Sequence, residues 1–402
     1  MTAHRYEHLL RTTPIPPHSA PASARPHKPF GKNQRAPGDP VASAKPYPRF
    51  IQPPSTHLSN LSLDLDLVLP DEAKTATDAG VLVFHSVGDT GGIHGDDVEK
   101  AISDAMDAQI SAATAKSPGA GFFYNLGDVV YFNGESKLYP SQFYEPYQSY
   151  HAAIFAIAGN HDGDTSTRPG DPVDTEPSLF GFMRNFCDSA SHHDSPYRPT
   201  MTQPYVYWTL ETPFATVVGL YSNVDGTLDP RGTGEQQQWF QDQVARAAKE
   251  KALIIAVHHP PYSFDTTHGG YPDIEISMDR VIQATGRIPT AVLSGHVHCY
   301  QRFQRTLGAR KVPYIVAGAG GYANTLSLLH KIEKGANGKA LPAGFQTTHT
   351  DLMLMMHNDR VPGFLRVTVD ARKKTVSFDY FLVPFPPAPS VAKPADSVTV
   401  PW

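Results

Sequence analysis

Five short boxes of acid–base and metal-binding side chains each follow an apolar run of the chain. They read Gly88-Asp89-Thr90-Gly91, Gly127-Asp128-Val129-Val130-Tyr131, Gly159-Asn160-His161-Asp162, His258-His259-Pro260 and Gly295-His296-Val297-His298. Together they supply carboxylates, a carboxamide, a phenol and several imidazoles. Oxygen and nitrogen donors of these types suit a pair of divalent or trivalent metal ions better than a thiolate redox site. The boxes therefore predict a two-metal site with hydrolytic chemistry.

Each box also has an ordinary structural explanation when it is taken alone. Gly-Asp after a strand is commonly a turn, because glycine takes unusual backbone angles and aspartate caps local amides. The pair His296 and His298 is stronger, since alternate strand residues face the same side and can reach one metal ion or two adjacent ones. The joint occurrence of all five boxes, each at the end of an apolar run, favours the metal site over unrelated turns.

Strand-like and helix-like segments alternate around the boxes. Alternation over 61–67 predicts a half-buried strand, and four-residue apolar spacing predicts a helix over 97–116. A second helix is expected over 235–250. Other segments predict strands: 81–84, 122–124, 154–157, 205–211, 214–221, 253–257, 291–293, 312–316, 364–369 and 375–382. This order predicts an α/β fold with helices covering the sheets, in which sites lie beyond the carboxyl ends of strands.

Composition excludes several classes of function. The 402 residues are 40% hydrophobic and 18% charged, and the formal net charge is -5. No basic footprint for nucleic acid or an anionic membrane is present. Two cysteines, Cys187 and Cys299, give neither a disulfide framework nor a thiolate metal site. The first residues hold no apolar leader and no span of membrane length follows, so we predict a cytoplasmic enzyme.

Composition also divides the chain. Residues 1–57 are rich in Pro, Ala, Ser, Lys and Arg, which predicts an extended or disordered arm because too little apolar surface is available to offset chain entropy. One catalytic domain is expected over 58–385. Residues 386–402 are expected to form a Pro-rich C-terminal tail.

The boxes resemble the calcineurin-like metallophosphoesterase superfamily, whose motifs are Asp-x-His, Gly-Asp-x-x, Gly-Asn-His-Asp/Glu, His before x-Pro, and Gly-His-x-His. The resemblance spans about 88–298 and implies layered β-sandwich sheets flanked by helices. One departure narrows it. The usual histidine two places after the first aspartate is Gly91, and the second box ends in Tyr131. That exchange is similar to purple acid phosphatases, in which the tyrosine coordinates a ferric ion.

The resemblance implies a full set of ligands. A first ion, Fe(III), would be bound by Asp89, Tyr131 and His298. A second, divalent ion (Fe, Zn or Mn) would be bound by Asn160, His258 and His296, with Asp128 as the bridge. His259 is expected beside the site rather than on the metal. Tyr131 has an alternative explanation as a packing aromatic, in which case the site would hold divalent ions.

Three further residues are expected to be catalytic. The resemblance implies that His161 contacts the phosphate and stabilises the leaving oxygen, and we expect Asp162 to orient it. His268 corresponds to a substrate-side histidine of plant-type purple acid phosphatases, although a loop histidine is often simply solvated. The turn at 318–321 either shapes the floor of the site or is a plain turn.

The function predicted on this basis is hydrolysis of phosphomonoesters by attack of a metal-bound hydroxide, as in an acid phosphatase. Phosphodiester hydrolysis, for instance of a cyclic nucleotide, is the alternative with the same ligands. A catalytically silent scaffold with a Pro-rich arm and tail is the competing non-enzyme hypothesis. The expected partner is a phosphoester substrate, and the sequence leaves the oligomeric state open.

Overall fold

The computed structural model describes Gly38, Pro40 and residues 61–114, 118–165, 176–228, 234–335 and 337–402. Within these residues nine strands form one sheet in the order β1-β5-β6-β7-β8-β10-β9-β12-β11, and six form another in the order β15-β14-β13-β2-β3-β4. The larger sheet comprises β1 (Ser62–Asp64), β5 (Trp208–Glu211), β6 (Ala215–Leu220), β7 (Ala252–Val257), β8 (Ala291–Ser294), β9 (Tyr300–Leu307), β10 (Arg310–Ala317), β11 (Phe345–Gln346) and β12 (Leu352–Asn358). The smaller comprises β2 (Val81–Val87), β3 (Phe122–Asn125), β4 (Ala153–Ala156), β13 (Gly363–Asp370), β14 (Thr375–Leu382) and β15 (Lys393–Pro401).

Helices accompany both sheets. In the described part of the chain they are α1 (Leu65–Val68), α2 (Pro70–Ala79), α3 (Asp97–Ser111), α4 (Asn160–Gly163), α5 (Phe180–Phe186), α6 (Glu235–Arg246) and α7 (Pro272–Thr285). A 3₁₀ turn (Ser136–Leu138) and a π-helical turn (Pro140–Tyr144) follow β3. None of these helices is long and apolar enough to cross a membrane.

The alternation of side chains along β7 explains the layers. Ile254 and Ala256 lie in the core between the two sheets, whereas Ile255 and Val257 pack on the other face with α6 and α7. Both faces of this strand are therefore apolar, as expected for a parallel strand covered on each side. The predicted fold class, α/β with two sheets flanked by helices, is confirmed.

Parallel pairing brings the five boxes to the same end of the sheets. The first three boxes follow β2, β3 and β4, which are parallel neighbours in the smaller sheet. The last two follow β7 and β8, which are parallel neighbours in the larger sheet. Carboxyl ends of parallel neighbours meet at one edge, so side chains from both sheets converge there.

Several element predictions hold and others need correction. The predicted hairpins are confirmed as the antiparallel pairs β5–β6 and β13–β14. The strand predicted over 61–67 ends at Asp64, and α1 begins at Leu65. Its leucines do not share one environment, because Leu65 is buried and Leu67 is 79% exposed. The helices predicted to end at 116 and 250 end at Ser111 and Arg246.

The segment predicted as a Pro-rich tail contributes a strand. β15 pairs antiparallel with β14 along 393–401 and forms one edge of the smaller sheet. Prolines are tolerated in a strand at a sheet edge, which is why the composition of this segment concealed it. The ordered sheet thus continues past residue 385. Nearly all of the predicted arm lies outside the described residues, so the division into arm, domain and tail stays a prediction.

Candidate metal centre

The first donor group joins the side chains of Asp89, Tyr131 and His298. The Tyr131 hydroxyl lies 3.1 Å from Oδ1 of Asp89 and 3.3 Å from Nε2 of His298. Nε2 of His298 lies 3.4 Å from the same Asp89 oxygen. All three side chains are buried or nearly so. Three donor atoms of the types predicted for the first ion thus face one another.

The second donor group surrounds Oδ1 of Asn160. This oxygen lies 3.1 Å from Nε2 of His258 and 2.9 Å from Nδ1 of His296. Oδ2 of Asp128 lies 3.2 Å from Nε2 of His258. Ligand atoms of Asp128, His258 and His296 all lie within 4.8 Å of one another. The four residues predicted around the second ion are therefore brought together.

Backbone hydrogen bonds tie the two aspartate loops to each other. The Asp89 N–H donates to Gly127 O (2.9 Å), and the Thr90 N–H donates to Asp128 O (3.1 Å). Oδ1 of Asp128 accepts the backbone N–H of His161 (2.8 Å). Asp128 is thus linked by its backbone to the first group and by its side chain to the second, which is consistent with its predicted bridging position.

The imidazoles of the second group are oriented by contacts outside it. Nδ1 of His258 lies 2.8 Å from Leu126 O. Because a carbonyl oxygen can only accept, this nitrogen carries a proton and donates it. Nε2 of His296 lies 2.7 Å from the Tyr271 hydroxyl. Such contacts fix the tautomer and direct the other ring nitrogen toward an ion. His259, expected beside the metal, is buried, and its Nδ1 contacts Ser222 Oγ at 2.7 Å.

Burial and mutual charge shift the pKa values of the group. Burial raises the pKa of Asp89 to about 8, and the negative Asp128 adds to that shift. Burial also opposes ionisation of Asp128, but His258 and His161 hold the pKa of its carboxyl below the usual value. Burial lowers the pKa of His298 to about 3, with His268 adding to the effect. Burial opposes protonation of His258, but the Asp128 carboxylate raises its pKa to about 9. Ligands bind a cation in their deprotonated form, so His298 is ready to bind one, whereas Asp89 and His258 would each release a proton when a cation binds.

The donor set fits a pair of cations. Oδ2 of Asp89 is fully buried and has no well-formed hydrogen bond from the described residues. A Cβ added at Gly318 would lie 2.6 Å from this oxygen, and one added at Gly295 would lie 2.8 Å from it. The glycine-rich turn at 318–321 therefore packs against Asp89 as part of the site floor. An uncompensated buried carboxylate is costly, so a cation is the group that this environment accommodates.

The predicted role of Asp162 needs correction. Its carboxylate accepts the backbone N–H groups of Gly159 (2.8 Å) and Val129 (3.1 Å), so it joins the second and third boxes. The ring of His161 is instead oriented by a backbone carbonyl, because its Nδ1 lies 2.7 Å from Phe132 O. Asp162 positions the loops, and the carbonyl of Phe132 positions His161.

His268 lies against His296, a predicted ligand, and against His330. Its ring centroid is 4.3 Å from that of His296 and 4.9 Å from that of His330. His330 stacks on His298 at 4.2 Å, and its Nδ1 accepts the His298 backbone N–H (3.1 Å). Asp265 accepts the backbone N–H of His268 (2.9 Å). The sequence analysis assigned no role to Asp265 or His330. The one sequence feature that could have pointed to His330 is its position shortly after the glycine-rich turn at 318–321.

The presence of Gly91 in place of the usual histidine, together with Tyr131 at the end of the second box, has a steric basis. A Cβ at Gly91 would lie 2.8 Å from Val129 O, 3.0 Å from Cδ2 of Tyr131 and 2.7 Å from Oε1 of Gln142. The Gln142 amide holds the Tyr131 backbone, donating from Nε2 to its carbonyl (2.9 Å) and accepting its N–H at Oε1 (2.9 Å). A side chain at position 91 is therefore incompatible with this placement of the tyrosine. Gln142 carries no motif and was missed from the sequence.

The fold and the donor set define a metallophosphoesterase-like α/β protein. The family model described as calcineurin-like phosphoesterase matches residues 82–300, which is over half of the chain. The chain belongs to the calcineurin-like phosphoesterase family and is a hydrolase of phosphoric esters.

The similar proteins narrow the likeness from the whole family to its acid phosphatases. The chain is 27% identical over 330 residues to tartrate-resistant acid phosphatase type 5 of Rattus norvegicus and 26% identical over 327 residues to that of Homo sapiens. Each match covers 78% of this chain and 90% of the relative. Purple acid phosphatase 21 of Arabidopsis thaliana is 24% identical over 41% of this chain and 39% of its own length. The predicted likeness to purple acid phosphatases is confirmed.

Solved structures support the fold. A purple acid phosphatase from yellow lupin (Lupinus luteus) seeds matches 80% of this chain with a TM-score of 0.56 and 15% identity. The match spans only about half, 54%, of the lupin chain. GAP50, described as the anchor in the inner membrane complex of Plasmodium, matches 80% of this chain and 89% of its own length with a TM-score of 0.52 and 11% identity. At these identities the likeness concerns the fold alone.

Proposed function

We propose that this chain is a two-metal phosphomonoesterase of the acid phosphatase type. The observation that carries the proposal is the pair of donor groups joined at Asp128. One contains a carboxylate, a phenol and an imidazole, and the other contains a carboxamide and two imidazoles. The likeness to acid phosphatases along most of the chain supports the monoester assignment.

The donor types support one trivalent and one divalent ion. Asp89, Tyr131 and His298 would hold Fe(III), because a phenolate and a carboxylate are hard anionic ligands suited to a trivalent ion. Asn160, His258 and His296 offer neutral donors and would hold a divalent ion (Fe, Zn or Mn), with Asp128 shared. When bound, the two ions would acidify water and neutralise the charge that develops on a phosphoryl group.

The protein's own residues would position the ester and supply a proton. Nδ1–H of His161 donates to Phe132 O, so Nε2 is the free nitrogen, and in the imidazolium form it would give its proton to the departing alcohol oxygen and leave the ring neutral. His268 lies beside His296 on the Asp265 loop, from which it would contact a phosphoryl oxygen. Burial of the donors excludes bulk water and strengthens these electrostatic contacts.

Turnover of nitrophenyl phosphate by matched asparagine variants tests the proposal. Asn160→Ala removes the oxygen shared by His258 and His296, and we expect kcat to fall at least about 100-fold with loss of one bound ion per chain. Asn337→Ala makes the same deletion in an exposed loop and should leave both quantities unchanged. Full turnover by Asn160→Ala would contradict the proposal, because the activity would then not depend on this donor group, whereas no turnover by the wild type would favour a silent scaffold. A preference for bis-nitrophenyl phosphate of tenfold or more in kcat/KM would instead assign the protein to phosphodiesterases.

A further inference from the structure

A basic pocket opens at the edge of the larger sheet opposite the metal centre. Its volume is about 180 Å³, and Lys249, Lys251, Arg287, Arg310 and the indole of Trp402 line it. Lys251 directly precedes β7, Arg287 precedes β8, and Arg310 begins β10. These three strands are parallel neighbours, so their amino ends meet at this edge.

The pocket is remote from the donor groups described above. His258 follows the carboxyl end of β7, whereas Lys251 stands before its first residue. A strand of this length spans roughly 20 Å at about 3.3 Å per residue. An ion or ester held at the metal centre therefore cannot also contact the pocket.

Three of the four cations of the pocket form no salt bridge with the described residues. Among the described residues, the ion pair of Lys251 with Glu211 (2.9 Å) is the one salt bridge formed by these four cations. Arg310 donates to Pro401 O (2.9 Å), and Arg287 donates weakly to Ala248 O (3.4 Å), so backbone carbonyls fix both guanidinium groups. Burial lowers the pKa of Arg310, and the nearby positive charge of Arg287 adds to the shift.

Helix ends account for only part of this charge. α6 and α7 both end nearby, and a helix C-terminus carries a partial charge of about -0.5. Two such ends cannot neutralise three unpaired cations gathered in one concavity. The like-charge repulsion between Arg287 and Arg310 is relieved most directly by an anion bound between them.

We propose that this pocket binds a phosphate group, carried by free inorganic phosphate or by a small organic phosphate. Two guanidinium groups match the oxygens of a phosphate with paired, charge-assisted hydrogen bonds. The volume is below that of drug-sized ligand sites, which favours a compact anion. Trp402 is held at the pocket by donation from its Nε1 to Glu250 O (3.1 Å) and offers an aromatic face to a ring attached to the phosphate.

Equilibrium dialysis of the holoenzyme with radiolabelled inorganic phosphate tests the proposal. The wild type should bind one more phosphate per chain than Arg287→Gln/Arg310→Gln, and Arg287→Lys/Arg310→Lys should keep binding within about tenfold because it keeps both charges. Lys373→Gln/Lys393→Gln removes the same charge elsewhere and serves as the matched control. Unchanged binding by the double Gln variant, or equal loss by the control, would overturn the proposal.

Two further measurements separate the pocket from the metal centre and identify its ligand. The double Gln variant should keep wild-type kcat on nitrophenyl phosphate at saturating substrate, and in Asn160→Ala the phosphate bound at the pocket should remain. Competition by phenylphosphonate at least tenfold stronger than by methylphosphonate assigns the pocket to an organic phosphate that stacks on Trp402. Equal competition assigns it to inorganic phosphate.

Discussion

Three of the predicted metal ligands have left-handed backbone. Asp89, Asp128 and His296 have φ of 58°, 55° and 66°. Such conformations cost of order 1–3 kcal/mol in residues other than glycine and persist where the surroundings hold them. Each lies just after a strand, where the sharp turn directs the side chain across the sheet edge. Asparagine, like aspartate, tolerates this conformation, so Asp128→Asn removes the charge with little added backbone strain.

Tyr131 decides the subclass of the metal centre. Tyr131→Phe removes the hydroxyl that lies 3.1 Å from Asp89 and keeps the ring. If the phenolate binds Fe(III), the visible charge-transfer band of the iron-loaded protein should disappear and kcat should fall. Tyr322→Phe is the matched control, since its ring lies 4.5 Å from that of His298 but it belongs to neither donor group. A band that survives in Tyr131→Phe would show that the tyrosine only packs beside the site.

At the scale of elements, two buried glutamines each hydrogen-bond both backbone groups of one loop residue. Gln142 pairs with both backbone groups of Tyr131, and Gln236 does the same for Tyr221 at 2.8 Å and 2.8 Å. An amide side chain in this arrangement replaces a missing strand partner. The clamp on Tyr131 comes from the π-helical turn, which therefore supports the first donor group.

Gln142→Leu should loosen the tyrosine without removing it. Two buried backbone groups lose their partners, and each costs about 1–3 kcal/mol in the free energy of unfolding. We also expect the iron charge-transfer band to shift because the phenolate moves. Gln236→Leu should cause a similar loss of stability with an unchanged band. Identical spectra for the two variants would contradict a specific role for Gln142.

The loop at 263–269 depends on one carboxylate. Asp265 accepts backbone N–H groups from Thr267 (2.9 Å), His268 (2.9 Å) and Gly269 (2.7 Å). Asp265→Asn weakens these charge-assisted bonds, so we expect kcat/KM on nitrophenyl phosphate to fall about tenfold while metal content is retained. Asp370→Asn alters a similar carboxylate in the β13–β14 turn and should leave kcat/KM unchanged. Equal effects of the two changes would remove the positioning role of Asp265.

The sequence predicts features that depend on neighbours along the chain. An apolar run followed at once by its box is such a feature, so the strands β2, β3, β4, β7 and β8 and their donors could be placed. The contacts that orient those donors cross long stretches of chain, as between His258 and Leu126 or Gln142 and Tyr131. Gln142, the carbonyl of Leu126 and the carboxylate of Asp265 belong to no sequence motif that would mark them. They become apparent only when the sheets are assembled.

At the scale of the whole molecule, the donor groups span both sheets. Asp89, Asp128 and Asn160 follow strands of the smaller sheet, whereas His258 and His296 follow strands of the larger one. A second link lies between the sheets, where Arg302 on β9 binds Asp396 on β15 at 2.6 Å. The centre thus depends on how the two sheets pack, and any loss of stability in either sheet disturbs the donors.

His85 on β2 makes the stability of the smaller sheet sensitive to acid. The ring is fully buried, contacts the Tyr150 hydroxyl at 3.0 Å, and packs edge-on against Phe364 at 5.3 Å. Burial lowers the pKa of His85 to about 3, from 6.5 in an unfolded chain. Below pH 6.5 the unfolded chain binds a proton that the folded protein does not, so stability falls as the pH falls from 6.5 toward 3.

We therefore expect His85→Gln to flatten the acid limb of the stability curve. Glutamine can still contact Tyr150 but does not titrate, so the stability of the wild type relative to this variant should fall by about 2–3 kcal/mol between pH 7.5 and pH 4.5. Denaturant unfolding at several pH values measures the difference. His151→Gln is the control, since that side chain is 74% exposed and its relative stability should change by much less. A constant difference between wild type and His85→Gln across this range would contradict the assignment of acid sensitivity to β2.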